Sequence, residues 1–224
     1  MGNPQETMLV VNGDILTQVD FRSMQTYHRE HSADLTMAVS QYETQDSYGV
    51  IECNDAWVTS IAEKPVQRFL INAGIYLLEP EILKMIPPNQ KISIERDIYP
   101  KVAGNGLHGF PFVGYFIDSG TPESYLDANF KSIGNTGTAS HSGASIRGPS
   151  IIHETAQLQD CIIGPNAIVG PNVKMEKCVV RNTVILSDVV GYGGVVESCI
   201  LGPEINFEND LERTLISPQG KLDF

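Results

Sequence analysis

Basic residues are scarce in this chain. Its 224 residues include 15 Lys and Arg against 27 Asp and Glu, a formal net charge of −12. That balance argues against nucleic acid or an anionic membrane as the main partner, because a phosphate backbone needs a basic footprint. A phosphorylated small ligand would need a well-placed Lys or a bound cation against this background. Long apolar runs are also missing, and Asp14 and Asp20 interrupt the first segment. Neither a signal peptide nor a membrane span is therefore expected, and the location this implies is cytoplasmic. Cys53, Cys161, Cys178 and Cys199 form no C-x-x-C pair, so zinc-site spacing is absent. Free thiols packed as small apolar residues are expected instead. What the chain does have is 42% hydrophobic residues, enough for a real core.

The first half alternates short apolar runs with helical spacing. Met8 to Val11 reads as a buried strand that stops at Asn12-Gly13-Asp14. Asp20 is a plausible N-cap for a helix to Ser32 that carries Phe21, Met24 and His28 at helical spacing. Leu35 to Val39 is a second strand, and strand–helix–strand order predicts a parallel sheet. Gly49 to Glu52 and Trp57 to Glu63 read as a hairpin, and Phe69 to Leu78 as a strand interrupted by Asn72-Ala73-Gly74. Further on, Thr121 caps a helix with Pro122 at its first position, running to about Ile133. Gly134 to Gly143 is rich in Gly, Ser and Thr and reads as a linker.

Beyond the linker the period changes. Ile163-Gly164-Pro165-Asn166-Ala167-Ile168 is followed directly by Val169-Gly170-Pro171-Asn172-Val173-Lys174. Aliphatics recur at six-residue spacing in the sets Ile146, Ile152, Leu158; Ile163, Val169, Met175; and Val184, Val190, Val196. Such a repeat marks a parallel β-helix, each coil burying its inward aliphatics against its neighbours. All three sets are expected to point into one core. The repeat decays after Gly202, so residues 203–224 are expected to form an irregular cap.

Asp14 and Asp118 each follow an apolar strand, where α/β sheets place ligands. Two carboxylates so placed can hold one hard cation, or each can simply cap a turn. Lys64, in Glu63-Lys64-Pro65, is either a point charge for a phosphate or a solvated side chain. Asn72 marks either a close approach to a ligand or a structural hydrogen bond. Gly49, beside Tyr48, has no side chain to keep a sugar from the backbone. His28 and His31 have the spacing of a metal pair, although an exposed polar face is the simpler expectation. His153 stands alone in the repeat region.

Five motifs occur in a fixed order: Val11-Asn12-Gly13-Asp14; Tyr48-Gly49-Val50; Glu63-Lys64-Pro65; Asn72-Ala73-Gly74-Ile75-Tyr76; and Phe116-Ile117-Asp118-Ser119-Gly120-Thr121-Pro122. Together with the trailing hexapeptide repeats, the chain resembles the sugar-1-phosphate nucleotidyltransferases, most closely the mannose-1-phosphate guanylyltransferases. The resemblance implies an incomplete Rossmann-like α/β sheet domain over residues 1–136, then a left-handed β-helix over 137–224. It implies Asp14 and Asp118 as ligands of Mg²⁺, Lys64 at the sugar phosphate, Glu63 at the sugar hydroxyls, and Gly49 and Asn72 lining the sugar pocket. Lys64, Asp14 and Asp118 would be the catalytic set. The family's Gly-x-Gly-Thr-Arg triphosphate loop occurs nowhere in these 224 residues. The expectation is therefore a sugar-1-phosphate binder that takes a nucleoside triphosphate only if an N-terminal segment is supplied, and that is inactive alone. A non-catalytic sugar-phosphate-binding or assembly subunit, a truncated gene product, a homo-oligomer built through the β-helix, and a β-helix acyltransferase using His153 are the alternatives.

Overall fold

The structure is a computed structural model that describes residues 5–134 and 140–224. The Gly134-Asn135-Thr136-Gly137 stretch, read above as linker, passes outside the described residues from 135 on. The chain divides into two compact units, residues up to Phe116 and residues from Ile117 on.

The first unit contains β1 (Met8–Val11), β2 (Ile15–Thr17), α1 (Phe21–Glu30), β3 (Leu35–Gln45), β4 (Val50–Asn54), β5 (Trp57–Ala62) and β6 (Val66–Leu78). They are followed by α2 (Pro80–Lys84), a π-helical turn (Ile94–Ile98), α3 (Tyr99–Val102) and β7 (Leu107–Pro111). Asp20 starts α1 as anticipated, its Oδ1 accepting from the backbone N–H groups of Arg22 and Ser23 at 2.9 and 3.2 Å. The main sheet has the order β1-β6-β3-β7. It is mixed, not parallel: β6 runs antiparallel to both β1 and β3, and only β3 and β7 are parallel. The crossover through α1 skips one strand position, and β6 fills it from the opposite direction after the β4–β5 hairpin.

β6 shows why this sheet is stable on both faces. Tyr76 and Leu78 pack with Leu35, Ile82, Ile98 and Val102, whereas Ile75 and Leu77 pack with Met24, Ala38 and Ala73. Successive residues thus enter opposite cores, the period of two that a strand imposes. The first half of β6, by contrast, is exposed, as is the whole of β4 and β5.

The second unit contains β8 (Phe116–Asp118, its last two residues), α4 (Pro122–Ile133) and the coils. Thr121 and Ser124 form a reciprocal capping box at the start of α4, with Pro122 inside it. Three ladders of parallel strands make the β-helix. The first comprises β9 (Ala144–Ile146), β12 (Cys161–Ile163), β15 (Val179–Arg181), β18 (Val195–Glu197) and β21 (Leu211–Glu212). The second comprises β10 (Ser150–Ile152), β13 (Ala167–Val169), β16 (Thr183–Ile185), β19 (Ile200–Leu201) and β22 (Thr214–Ser217), with β23 (Gly220–Asp223) folded back antiparallel at its end. The third comprises β11 (Gln157–Gln159), β14 (Lys174–Glu176), β17 (Val190–Tyr192) and β20 (Asn206–Phe207). Coils therefore continue well past Gly202, and the expected irregular cap is largely further β-helix. The corners are taken by residues in the left-handed region, among them Asn166, Asn172, Asn182 and Asp188. Asn166 and Asn172 also donate from Nδ2 to Asn182 Oδ1 and Asp188 Oδ1 one coil on, at 3.1 and 3.0 Å.

Ile151, Ile168, Val184, Ile200 and Leu215 stand in register, so successive coils advance by 17, 16, 16 and 15 residues. This corrects the third aliphatic set. Ile163, Val169 and Val196 enter the core as expected, but Val184 and Val190 do not. A coil shorter than three sixes moves the interior positions to Val180, Ile185 and Gly191. Val184 points outward and is buried under α4, with Leu126 and Ile200; Val190 is 46% exposed.

Candidate functional site

The β4–β5 hairpin brings two of the motifs together. Val50 pairs with Ala62, so Gly49 and Glu63 face each other across its open end. The contact is close: a Cβ at Gly49 would lie 2.8 Å from Glu63 Oε2. Lys64 follows in a left-handed turn at φ 44°. Gln45 Nε2 donates to the Lys64 carbonyl at 3.2 Å, and the Asp46 N–H donates to the Pro65 carbonyl at 3.2 Å. Glu63 and Lys64 are exposed, and among the described residues neither side chain has an ion pair. A carboxylate and an ammonium on consecutive residues, neither held in an ion pair, suit a ligand that carries both hydroxyls and an anion.

A second meeting of motifs lies at the other end of β6. The Asn12 N–H donates to the Gly74 carbonyl at 2.9 Å, which seats the Asn12-Gly13-Asp14 turn on the Asn72-Ala73-Gly74 bulge. The bulge is visible in the register, which passes from Met37–Tyr76 to Val39–Asn72. Asn72 holds it: Oδ1 accepts from the Gly74 N–H at 2.9 Å, and Nδ2 donates to the Tyr76 hydroxyl at 2.6 Å. Both ends of the Asn72 amide are thus engaged within its own strand. Asp14 is exposed in the turn after β1. Asp118 ends β8 in the second unit, also exposed, with Oδ1 accepting from the Gly120 N–H at 2.9 Å. Along β6, Asn72 stands about 20 Å from Val66 at a strand rise of about 3.3 Å per residue. The Gly49–Glu63–Lys64 group and the Asp14–Asn72 group are therefore two separate clusters in the first unit. Among the described residues, no group of three or more His, Cys, Asp or Glu is arranged to hold a metal.

Sequence reasoning missed a buried polar cluster. His28, expected on an exposed face, is 2% exposed, with Nδ1 2.7 Å from Thr36 Oγ1 and Nε2 2.9 Å from Glu79 Oε1. Thr7 also donates to Glu79 Oε1, at 2.5 Å. These bonds from Thr7 and His28 hold the Glu79 carboxyl below the ordinary glutamate range. The signal was present, since His28 continues the inward spacing of Met24. His31 points elsewhere, stacked on Tyr27 with ring centroids 4.0 Å apart, so the two histidines form no metal pair. His153 is exposed, and its Nδ1 lies 2.9 Å from Thr155 Oγ1.

With the geometry in view, comparison with known proteins is informative. The family model described as "Nucleotidyl transferase" matches residues 1–133, more than half of the chain. This chain belongs to the nucleotidyl transferase family. Among its relatives, the "Probable mannose-1-phosphate guanylyltransferase 1" of Oryza sativa subsp. japonica is 30% identical over 215 residues, covering 85% of this chain and 59% of that protein. The "Mannose-1-phosphate guanylyltransferase 1" of Arabidopsis thaliana is 27% identical over 236 residues, covering 92% and 65%. The chain thus spans about three-fifths of the length of these relatives. The crystal structure of HddC from Yersinia pseudotuberculosis matches with 31% identity and a TM-score of 0.40, over 55% of this chain and 53% of that one. No helix among the described residues is long and apolar enough to cross a membrane.

Proposed function

We propose that this chain is the sugar-1-phosphate side of a nucleotidyltransferase, with mannose-1-phosphate as its ligand. The full reaction is attack of a sugar-phosphate oxygen on the α-phosphorus of a nucleoside triphosphate, with GTP the donor that the relatives' names suggest, releasing pyrophosphate. The observation that carries this reading is the meeting of Gly49 with Glu63, the residue before Lys64, at the hairpin base. Lys64 takes the phosphate and Glu63 accepts from the sugar hydroxyls with Gly49 beside it, whereas Asn72 belongs to the separate Asp14 group. The ligand meets these residues in the cytoplasm.

The chemistry of Asp14 and Asp118 fits Mg²⁺, which prefers carboxylate oxygen. When bound, the ion would offset negative charge on the phosphates, which a chain of net charge −12 does poorly by itself. Asp14 and Asp118 are the residues that would hold it.

Titration calorimetry with α-D-mannose-1-phosphate tests the proposal. Wild type is expected to bind, and Lys64→Ala to bind at least 10-fold more weakly with an unchanged unfolding midpoint. Absence of wild-type binding, or equal affinity of the two proteins, would overturn it.

A further inference from the structure

Gly49 is the one residue of the hairpin base whose role the contacts isolate. It is not among the residues with positive φ, so its backbone conformation does not demand glycine. Space does. An added Cβ would lie 2.8 Å from Glu63 Oε2, while its next neighbours, Glu63 Cδ and the Ala62 carbonyl, are at an ordinary 3.9 Å. Glycine at this position therefore accommodates a single group, the Glu63 carboxylate. That group is the tip of a flexible side chain on the surface, so a methyl at 49 displaces it at little cost to the fold.

We propose that Gly49 is a positioning residue for Glu63. It leaves a seat in which the carboxylate rests, and it acts on a ligand only through that carboxylate. The proposal rests on the sugar-phosphate reading above and changes the part Gly49 plays in it: the space serves Glu63, not the sugar. The chemistry that follows is specific. A seated Glu63 carboxylate accepts hydrogen bonds from ligand hydroxyls, whereas Lys64 binds the phosphate. Moving the carboxylate should therefore cost affinity for a hydroxyl-bearing phosphate and leave affinity for phosphate itself unchanged.

The test is a double-mutant cycle on the full chain, with α-D-mannose-1-phosphate and inorganic phosphate as the two titrants. Gly49→Ala is expected to weaken mannose-1-phosphate binding at least 10-fold while leaving inorganic phosphate binding and the unfolding midpoint unchanged. In a Glu63→Ala background the same substitution should have no further effect on either ligand. An equal Gly49→Ala effect in both backgrounds, or equal losses for both ligands, would overturn the proposal, because either shows a role that does not pass through Glu63. A ligand-free measurement stands beside the cycle. The ¹³C resonance of the Glu63 carboxyl, assigned by its loss in Glu63→Gln, is expected to shift in Gly49→Ala. An unshifted resonance overturns the seat whatever the calorimetry shows. A shifted resonance with no wild-type binding upholds the seat and overturns the sugar-phosphate reading.

Discussion

His28 Nε2 lies 2.9 Å from Glu79 Oε1, joining the buried face of α1 to the end of β6. Glu79 accepts from Thr7 through the same oxygen. Its folded pKa is depressed below the ordinary 4.5, first by the Thr7 bond and then by His28. A depressed carboxylate contributes stability above its unfolded pKa and loses it as pH falls through the folded one. The wild-type advantage over Glu79→Gln should therefore be full at pH 6 and 7 and fade as pH falls below about 4.5. Urea unfolding at a series of pH values reads this directly; an advantage that grows on acidification would contradict it. His28→Ala should cost about 3 kcal/mol at pH 7, since it leaves both a cavity and unpaired Thr36 and Glu79 groups.

Gly191 faces Phe207 on the next coil, and a Cβ there would collide with the ring. Glycine is what lets a benzyl group enter this layer. Gly191→Ala is expected to cost about 1–3 kcal/mol through overpacking. Gly191→Ala with Phe207→Leu should recover part of that loss relative to the sum of the single changes. Thermal unfolding of the four proteins measures the coupling, and strict additivity would show that the ring does not occupy this space.

The same glycine explains where sequence reading stopped. Interior positions were legible at Ile163, Val169 and Met175 because aliphatics fall there at a step of six. After Met175 the step drops to five, and a glycine occupies one interior site, so counting back by six from Val196 lands on the outward Val190 and Val184. α1, its Asp20 cap and the Thr121 start of α4 were legible because their signals are local. The direction of β6 was not, because it depends on pairing with residues some thirty positions away. Gly49 with Glu63 could be foreseen from the hairpin turn between them. The use of Asn72 within its own strand could not, since only the bulge places its amide against Gly74 and Tyr76.

Three valines of the repeat make a graded test of the observed register. Val169 is buried in the coil interior and Val184 under α4, at 1% exposure each, whereas Val190 is 46% exposed. An aspartate at either buried site places an unpaired carboxylate in an apolar cluster. Val169→Asp and Val184→Asp should each cost more than about 3 kcal/mol. Val190→Asp should stay within about 0.5 kcal/mol of wild type. Urea midpoints rank the three, and a destabilised Val190→Asp would restore the uniform six-residue register.

The cysteines report how the coils open. Cys53 lies exposed on β4, whereas Cys161, Cys178 and Cys199 are buried in the β-helix. The Cys161 and Cys178 thiols are in contact across neighbouring coils, and that contact depresses the pKa of Cys161 and raises that of Cys178. Because a thiol reacts as an exposed thiolate, only Cys53 is within reach of reagent in the folded chain. One thiol per chain should react with an aromatic disulfide reagent within minutes under native conditions. The other three should appear together as denaturant is raised, because each coil lies between neighbours that share its core and cannot expose a thiol alone. Val169→Asp, which breaks the interior between Cys161 and Cys178 in sequence, should bring all three into reach at lower denaturant while the Cys53 rate stays constant. If a second thiol of the wild-type chain instead reacted at the Cys53 rate, the coil holding it would open independently, and the β-helix would lack the single cooperative core described above.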